Sequence, residues 1–487
     1  MTEPLSSRDL APWQSGPDAA PAAGLLAAWR DPVFRGGFYL TLSSTGTAVV
    51  GLFYWSIAAR AYAPEVVGRS AAVIAAMTMI AGFSQLNLAS VLIRFVPGAG
   101  RDVHRLVLGV YGVSTLVTLV ASGVFLVVAQ SLSHQFAFLT ERPFLAAAFV
   151  AAVAGWVVFN LQDGVLTGLR LAHLVAVENT LFALAKVGLV AALAALSVRD
   201  GILYSWWLGL ALAVVVTNLF LFRRPLPRHG RLEPAGPPVR PRPLARFAVP
   251  DYVGGVCTIV AFSAMPFLVL SSEGASATAY FAISWQLGSA LFLVSGNMGQ
   301  SLVVETAVDQ SRLPIVWRRL IRHTLLPLLL AVAAVVVLAP FLLRAFGSTY
   351  SSNGTMLVRL LALAAIPNLV VETAAFAARS HRRTGVSSAI QAALCVGVVL
   401  LGAVLVRVMG TNGIGVAWLV TLSILGAVLL VRPGWWLHPR PVGAAAEGEA
   451  GDEAGRYGRE AGGDRSRAAE RGEPAVADGA ADLAREA

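Results

Sequence analysis

The chain has 487 residues, 56% of them hydrophobic and 13% charged, with 37 Lys+Arg against 27 Asp+Glu and a formal net charge of +10. With a mean hydropathy of +0.70, that composition excludes an ordinary soluble domain and a disordered chain, and reads as an integral membrane protein. The surplus of positive charge is then a matter of membrane topology and not a nucleic-acid footprint.

Residues 1–30 are Pro/Ala-rich with scattered acids and lack the basic run and short apolar core of a secretory signal, so the first span acts as its own insertion signal. Twelve apolar segments follow, at about 36–59, 66–93, 106–129, 143–169, 173–197, 201–222, 247–270, 276–304, 314–343, 354–378, 385–406 and 413–431. Each is near or above the roughly 20 residues a helix needs to cross the hydrocarbon core. With both termini cytoplasmic, 22 arginines fall on the inner side, among them Arg94, Arg101, Arg105, Arg170, Arg312 and Arg379. Seven fall outside: Arg60, Arg69, Arg142, Arg199, Arg344, Arg359 and Arg407. The positive-inside rule selects that orientation. The fold class is therefore all-α, about twelve transmembrane helices with both termini cytoplasmic, in the plasma membrane.

The first span carries Gly36, Gly37, Gly46 and Gly51, and the seventh carries Pro250, Gly254, Gly255 and Pro266, which suits both to bending. In the second span Gln85 and Asn87 lie about 160° apart on a helix and cannot share a face. Asn160, Gln162 and Asp163 in the fourth span, with Glu178, Asn179 and Lys186 in the fifth, predict a polar ladder inside the N-terminal half. Asp163–Arg170 and Asn179–Lys186 each repeat a seven-residue spacing, about 20° from alignment and about 10 Å along a helix. Lys186 is the only lysine; an ammonium at mid-bilayer costs roughly 2.5–3.5 kcal/mol and normally faces an interior or a wet cavity. The candidate substrate contacts are Lys186, Asn179, Asp163, Asn160 and Asn87; a structural pairing of Lys186 with Asp163 or Glu178 is the competing reading. Glu178, Glu372, Glu305, Arg94, Arg170 and Arg379 are candidates for ion coupling or gating, with Arg170 also readable as a topogenic anchor.

Residues 223–246, with seven arginines and seven prolines, read as an extended cytoplasmic linker touching anionic headgroups. It separates an N-terminal lobe at 35–222, preceded by a cytoplasmic segment at 1–34, from a C-terminal lobe at 247–431. The lobes are related: Asn160…Asp163…Arg170 matches Asn368…Glu372…Arg379 with the same acid-to-arginine spacing. Six spans each means parallel repeats about an axis along the membrane normal. Residues 441–487, with 11 acids against 6 arginines, read as a disordered, solvated tail. Cys257 and Cys395 fall inside spans, which argues against a disulfide framework, and no metal or other cofactor is expected. No phosphate-cradling Gly-rich loop ends in Lys-Ser/Thr, which argues against an ATPase on this chain. Seven histidines are scattered through loops and span ends, and the short external loops leave no room for the acceptor domain of a glycosyltransferase.

The run from Arg35-Gly-Gly through Ala59-Arg60-Ala-Tyr-Ala-Pro64-Glu65-Val-Val-Gly68, continued by Leu86-Asn-Leu-Ala-Ser-Val-Leu-Ile-Arg94-Phe, resembles the opening of polysaccharide-biosynthesis membrane proteins. Those are Wzx-type oligosaccharide flippases of the multidrug/oligosaccharidyl-lipid/polysaccharide (MOP) superfamily. The resemblance covers roughly residues 35–431 as a pattern. It implies a two-lobed, V-shaped transporter carrying polyprenyl-diphosphate-linked oligosaccharide to the outer leaflet for cell-surface polysaccharide synthesis, with Lys186 in a cationic cavity. Implied partners are the lipid-linked substrate, membrane lipids and the glycosyltransferases or polymerase of the same pathway, with no nucleic acid. A cation-coupled multidrug antiporter and a membrane-embedded glycan polymerase or ligase are the alternatives; a positive cavity favours the flippase and a negative one the antiporter.

Overall fold

The computed structural model describes residues 49–132, 136–232, 241–306, 309–381 and 383–437, without the side chains of 129–132, 172, 232 and 241–251. The expectations for residues 1–48 and for the tail at 441–487 fall outside these described residues. Among them there is no strand, and ten helical stretches are long and apolar enough to cross a membrane.

In chain order the helices are α1 Val49–Ala61, α2 Pro64–Ser84, α3 Leu88–Phe95, α4 Val103–Leu132, α5 Pro143–Gly168, α6 Ala172–Ala195, α7 Gly201–Arg223 and α8 Pro225–Leu232. They continue as α9 Pro241–Ser263, α10 Met265–Ser289, α11 Phe292–Glu305, α12 Leu313–Arg344, α13 Ser348–Ser380, α14 Thr384–Met409 and α15 Thr411–Val431. Two of the twelve predicted spans are hidden in the tally of ten. One is α1, the described part of the first. The other arises because Tyr252–Glu305 runs as one 54-residue stretch. Gly274 (φ 84°, ψ −174°) breaks α10 there, so the seventh span closes before it and the eighth opens after it. Only glycine adopts that backbone region routinely.

Proline opens α2, α5, α10 and α12 at the first or second helical position, where its missing N–H has no intrahelical partner to lose. Arg170 and Ser197, both at positive φ, close α5 and α6 in the left-handed conformation of helix C-termini. Outward-facing apolar side chains are long-range features of the bundle: Leu108, Leu116, Val120, Val124 and Val127 line an exposed stripe of α4. Soluble proteins rarely tolerate such patches, whereas a bilayer is their ordinary solvent. The chain is a multi-pass membrane protein.

Among the described residues two large hydrophobic cores hold the bundle, with a small third one at Phe159, Phe182 and Leu210. One is built around Met77, Phe149, Leu161 and Ile202 of the first half and also takes in Ala275, Ala279 and Ile283 of α10. The other gathers Phe281, Leu357, Leu394 and Trp418 of the second half. The sharing of α10 between them makes α2 against α10 the principal seam.

Two departures from the sequence reading concern local backbone. The second span is not one helix: Leu86 and Asn87 both take positive φ (50° and 56°), so α2 stops at Ser84 and α3 restarts at Leu88. Asn87 tolerates this conformation better than most residues and accepts a hydrogen bond from Ser90 Oγ at 2.9 Å. The helical-angle argument separating Gln85 from Asn87 therefore does not apply. The linker is also not extended throughout. Its Pro225–Leu232 portion is helix α8, seated by Leu226, which is fully buried.

Candidate functional site

Lys186 projects from α6 toward α7, where Gly209 makes room for its stem: a Cβ on Gly209 would stand 3.3 Å from Lys186 Cγ. Its Nζ lies 4.0 Å from the Trp206 ring centre, 4.5 Å from that of Phe182 and 5.6 Å from that of Tyr54. Phe182 is one helical turn back on α6, and Trp206 is one turn before Gly209 on α7, so helical register assembles this cage. Tyr54 is locked in place, donating to Ile202 O at 3.1 Å and sharing a 2.9 Å hydrogen bond with Ser205 Oγ. Trp156 and Phe159 of α5 stack at 5.4 Å and extend the aromatic cluster behind Phe182 and Trp206. Among the described residues no carboxylate lies within 4.0 Å of the ammonium. The competing pairing with Asp163 or Glu178 is thus absent from this arrangement. Ring faces, worth about 2 kcal/mol when a cation is desolvated, take the place of an anion.

The rest of the predicted ladder divides. Glu178, 7% exposed, accepts a hydrogen bond from the Gln162 amide, and Asn218 Nδ2 donates to Gln162 Oε1 at 2.5 Å and to Val214 O at 2.9 Å. Asn179 lies beside the Asp163 carboxyl and Thr217 beside that of Glu178, with Asn179 Nδ2 donating to Val175 O at 2.9 Å. Four oxygens in this neighbourhood are buried without a hydrogen-bond partner: Asp163 Oδ1, Glu178 Oε2, Asn218 Oδ1 and Tyr111 OH. The cluster spans α4, α5, α6 and α7 toward the arginine-rich end of the bundle, two helical turns from Lys186 along α6. Asn160 is not part of it; its Nδ2 donates to Trp156 O, one turn back on its own helix. Tyr111, Thr217 and Asn218 escaped the sequence reading. Asn218 was the legible one, an amide within the apolar run from Leu210 to Phe222.

The remaining candidates are scattered. Arg170 is exposed just past α5, Arg94 lies exposed in the last turn of α3 over the Phe95 ring at 5.9 Å, and Arg379 lies in the last turn of α13 over Phe376 at 5.3 Å. Glu305 is exposed where α11 ends, and Glu372 is half-buried one turn from buried Asn368 on α13.

At the seam, α2 and α10 meet backbone to backbone. A Cβ on Gly68 would stand 1.8 Å from Ala275 O. Ser276 Oγ donates to Glu65 Oε1 at 2.6 Å, and Arg60 Nε and Ser56 Oγ donate to Ala345 O at 2.8 and 3.2 Å. These contacts close the arginine-poor end. Nearer the other end, Tyr252 OH donates to Phe83 O at 2.8 Å. Among the described side chains of α1, α2, α9 and α10, the carboxylates are Glu65 and Glu273, both at the arginine-poor end.

No family model matches the chain, and no curated protein is similar to it in sequence. Solved structures are similar in fold. An inward-facing multidrug resistance MATE family transporter of the MOP superfamily superposes with a TM-score of 0.58 at 15% identity, over 83% of this chain and 96% of that one. An outward-facing one gives 0.58 at 14%, over 84% and 97%. The fold is that of the MATE transporters. A MOP superfamily transporter from Pyrococcus furiosus, described by the reverse polarity of its binding pocket, is equally similar, with 0.58 at 13% over 84% and 97%.

Proposed function

We propose that the chain is a transporter of the MOP type that flips a polyprenyl-diphosphate-linked oligosaccharide across the plasma membrane, with both termini cytoplasmic. The supporting observation is the distribution of charge: among the described residues Lys186 has no carboxylate within 4.0 Å, and the described carboxylates of the seam helices are confined to one rim. Among the described side chains a cationic drug would find no counter-charge along the middle of that seam, whereas a diphosphate would meet in Lys186 a positive charge in a low-dielectric wall that ring faces offset only in part. The aromatic cluster around Lys186 offers flat apolar faces to sugar rings. Purified protein in vesicles, given a fluorescent lipid-linked oligosaccharide on one leaflet, should move it to the other, where a membrane-impermeant quencher or glycosidase reads its arrival. Equal rates in protein-free vesicles would refute the reading.

The second reading is a cation-coupled antiporter, and the Asp163–Glu178 cluster favours it. The same cluster serves the first reading as the coupling site. Four uncapped oxygens, two of them from carboxylates, suit a proton or a monovalent cation, since hard cations take oxygen ligands. Occupancy would bias the lobes between two states a few kcal/mol apart. Glu178→Gln and Asp163→Asn are therefore expected to abolish the response to an imposed proton or sodium gradient, a loss of about 5–150-fold in accumulation. Downhill equilibration of substrate should persist. Gradient-driven accumulation at the parental level in both variants would remove the coupling role.

A further inference from the structure

Helix α8 follows directly on α7, so it begins where a membrane span has just ended at Arg223. It is short but sharply two-faced. Leu226 is fully buried, His229 Nε2 lies 3.0 Å from Val96 O, and Gly230 abuts the turn before α4, its Cβ position 3.5 Å from Gly100 O and 3.7 Å from Arg101 Cα. These three residues are the docking face. Arg228 and Arg231 stand roughly 160° and 140° around the helix from Leu226, and both are exposed. Arg101 is exposed beside Gly230, and Arg223 and Arg224 are exposed at the approach to α8. Among the described residues none of these five has a carboxylate within 4.0 Å, whereas nearby Arg105 is paired with Asp102 at 3.5 Å.

Mere separation of the lobes does not require this arrangement. A spacer has no need to fold back, and a topogenic charge has no need to be held by a buried leucine and a histidine. The docked helix fixes several guanidinium groups just past the end of an apolar span, and a basic amphipathic helix in such a place lies in the membrane interface. We propose that α8 and the Gly100–Asp102 turn form a binding site for the headgroup of an anionic phospholipid, with Arg101, Arg228 and Arg231 as its contacts. Guanidinium suits phosphate through paired, forked hydrogen bonds as well as charge.

The test uses the full-length protein in neutral detergent, incubated with phosphatidylglycerol or phosphatidylcholine of matched acyl chains, with bound lipid counted by native mass spectrometry. Wild type should retain phosphatidylglycerol in preference. The triple variant Arg101→Gln, Arg228→Gln, Arg231→Gln should bind it roughly a hundred-fold more weakly, from the usual contribution of three arginines at a headgroup. The corresponding triple lysine variant should keep most of the preference, showing that the site has folded. Removing as much charge from the other half, with Arg318→Gln, Arg319→Gln and Arg322→Gln, should leave it unchanged. The assignment is overturned if that control loses phosphatidylglycerol equally, if the lysine variant loses it as fully as the glutamine one, or if phosphatidylcholine binds wild type as well. Displacement of the lipid by excess inorganic phosphate alone would identify a free-anion site instead and overturn it too.

Discussion

Gly68→Ala is expected to force α2 and α10 apart and to collapse transport. The added Cβ would lie 1.8 Å from Ala275 O, 2.8 Å from Ala275 C and 2.9 Å from Ala279 N. All three are backbone atoms of a helix, so no side-chain rotation relieves the overlap. Overpacking ordinarily costs about 1–3 kcal/mol, and a backbone clash stands at or above the upper end. A protein with two states has an outlet that a rigid one lacks: parting the seam at the arginine-poor end removes the clash, so the strain shifts the population toward the arrangement open there. The readout is a pair of cysteines replacing Glu65 and Ser276, which now touch at 2.6 Å through their side chains. In a background without Cys257 and Cys395, a short thiol crosslinker should join them readily in the parent. It should do so far less in the Gly68→Ala protein, with a lowered thermal midpoint. Parental crosslinking together with parental transport would show that the close approach is not used.

How much of this was legible in the residues depends on what kind of information each feature carries. Apolar runs of membrane-spanning length announce themselves, because the bilayer demands internal satisfaction of every backbone group and therefore long uninterrupted helices. Hence the spans could be read from the chain. The breaks were harder. Leu86 is an unremarkable residue in an apolar run, and only tertiary context places it in the left-handed region. Gly274 could have been suspected, yet glycine is common in membrane helices, so its presence does not discriminate.

Within the candidate site, Lys186 stood out because a lone ammonium at mid-span is costly, but its surroundings did not. The cage depends on Tyr54 and Trp206, distant in sequence from Phe182 and ordinary as membrane residues. The seven-residue spacing from Asn179 to Lys186 suggested one continuous ladder. The structure instead ends the acid and amide cluster two turns short of the lysine, because Gln162, itself held by Asn218, draws Glu178 toward it. Spacing along a helix defines a direction and not a partner.

The cage also makes Lys186 the substitution that separates function from stability. Removing a buried cation relieves an insertion cost of roughly 2.5–3.5 kcal/mol but forfeits ring contacts worth about 2 kcal/mol. The two nearly cancel, and methionine fills the stem beside Gly209 with comparable volume, so Lys186→Met should change stability by no more than about 1 kcal/mol. Abundance in the membrane and thermal midpoint should match the parent. Lys186→Ala leaves the aromatic box partly unfilled and should cost more, about 2–3 kcal/mol, which makes methionine the cleaner test. If the positive charge serves the diphosphate, export of the lipid-linked glycan must fall in both variants in spite of that difference in stability. A fall of at least two orders of magnitude corresponds to losing one charge-assisted contact of about 3 kcal/mol. Arginine is not a substitute: its longer, planar guanidinium must repack rings now fitted around a compact ammonium, so Lys186→Arg should lose stability as well as activity. Export at the parental rate in Lys186→Met would leave the ammonium as a packing element and move the anion site elsewhere in the molecule.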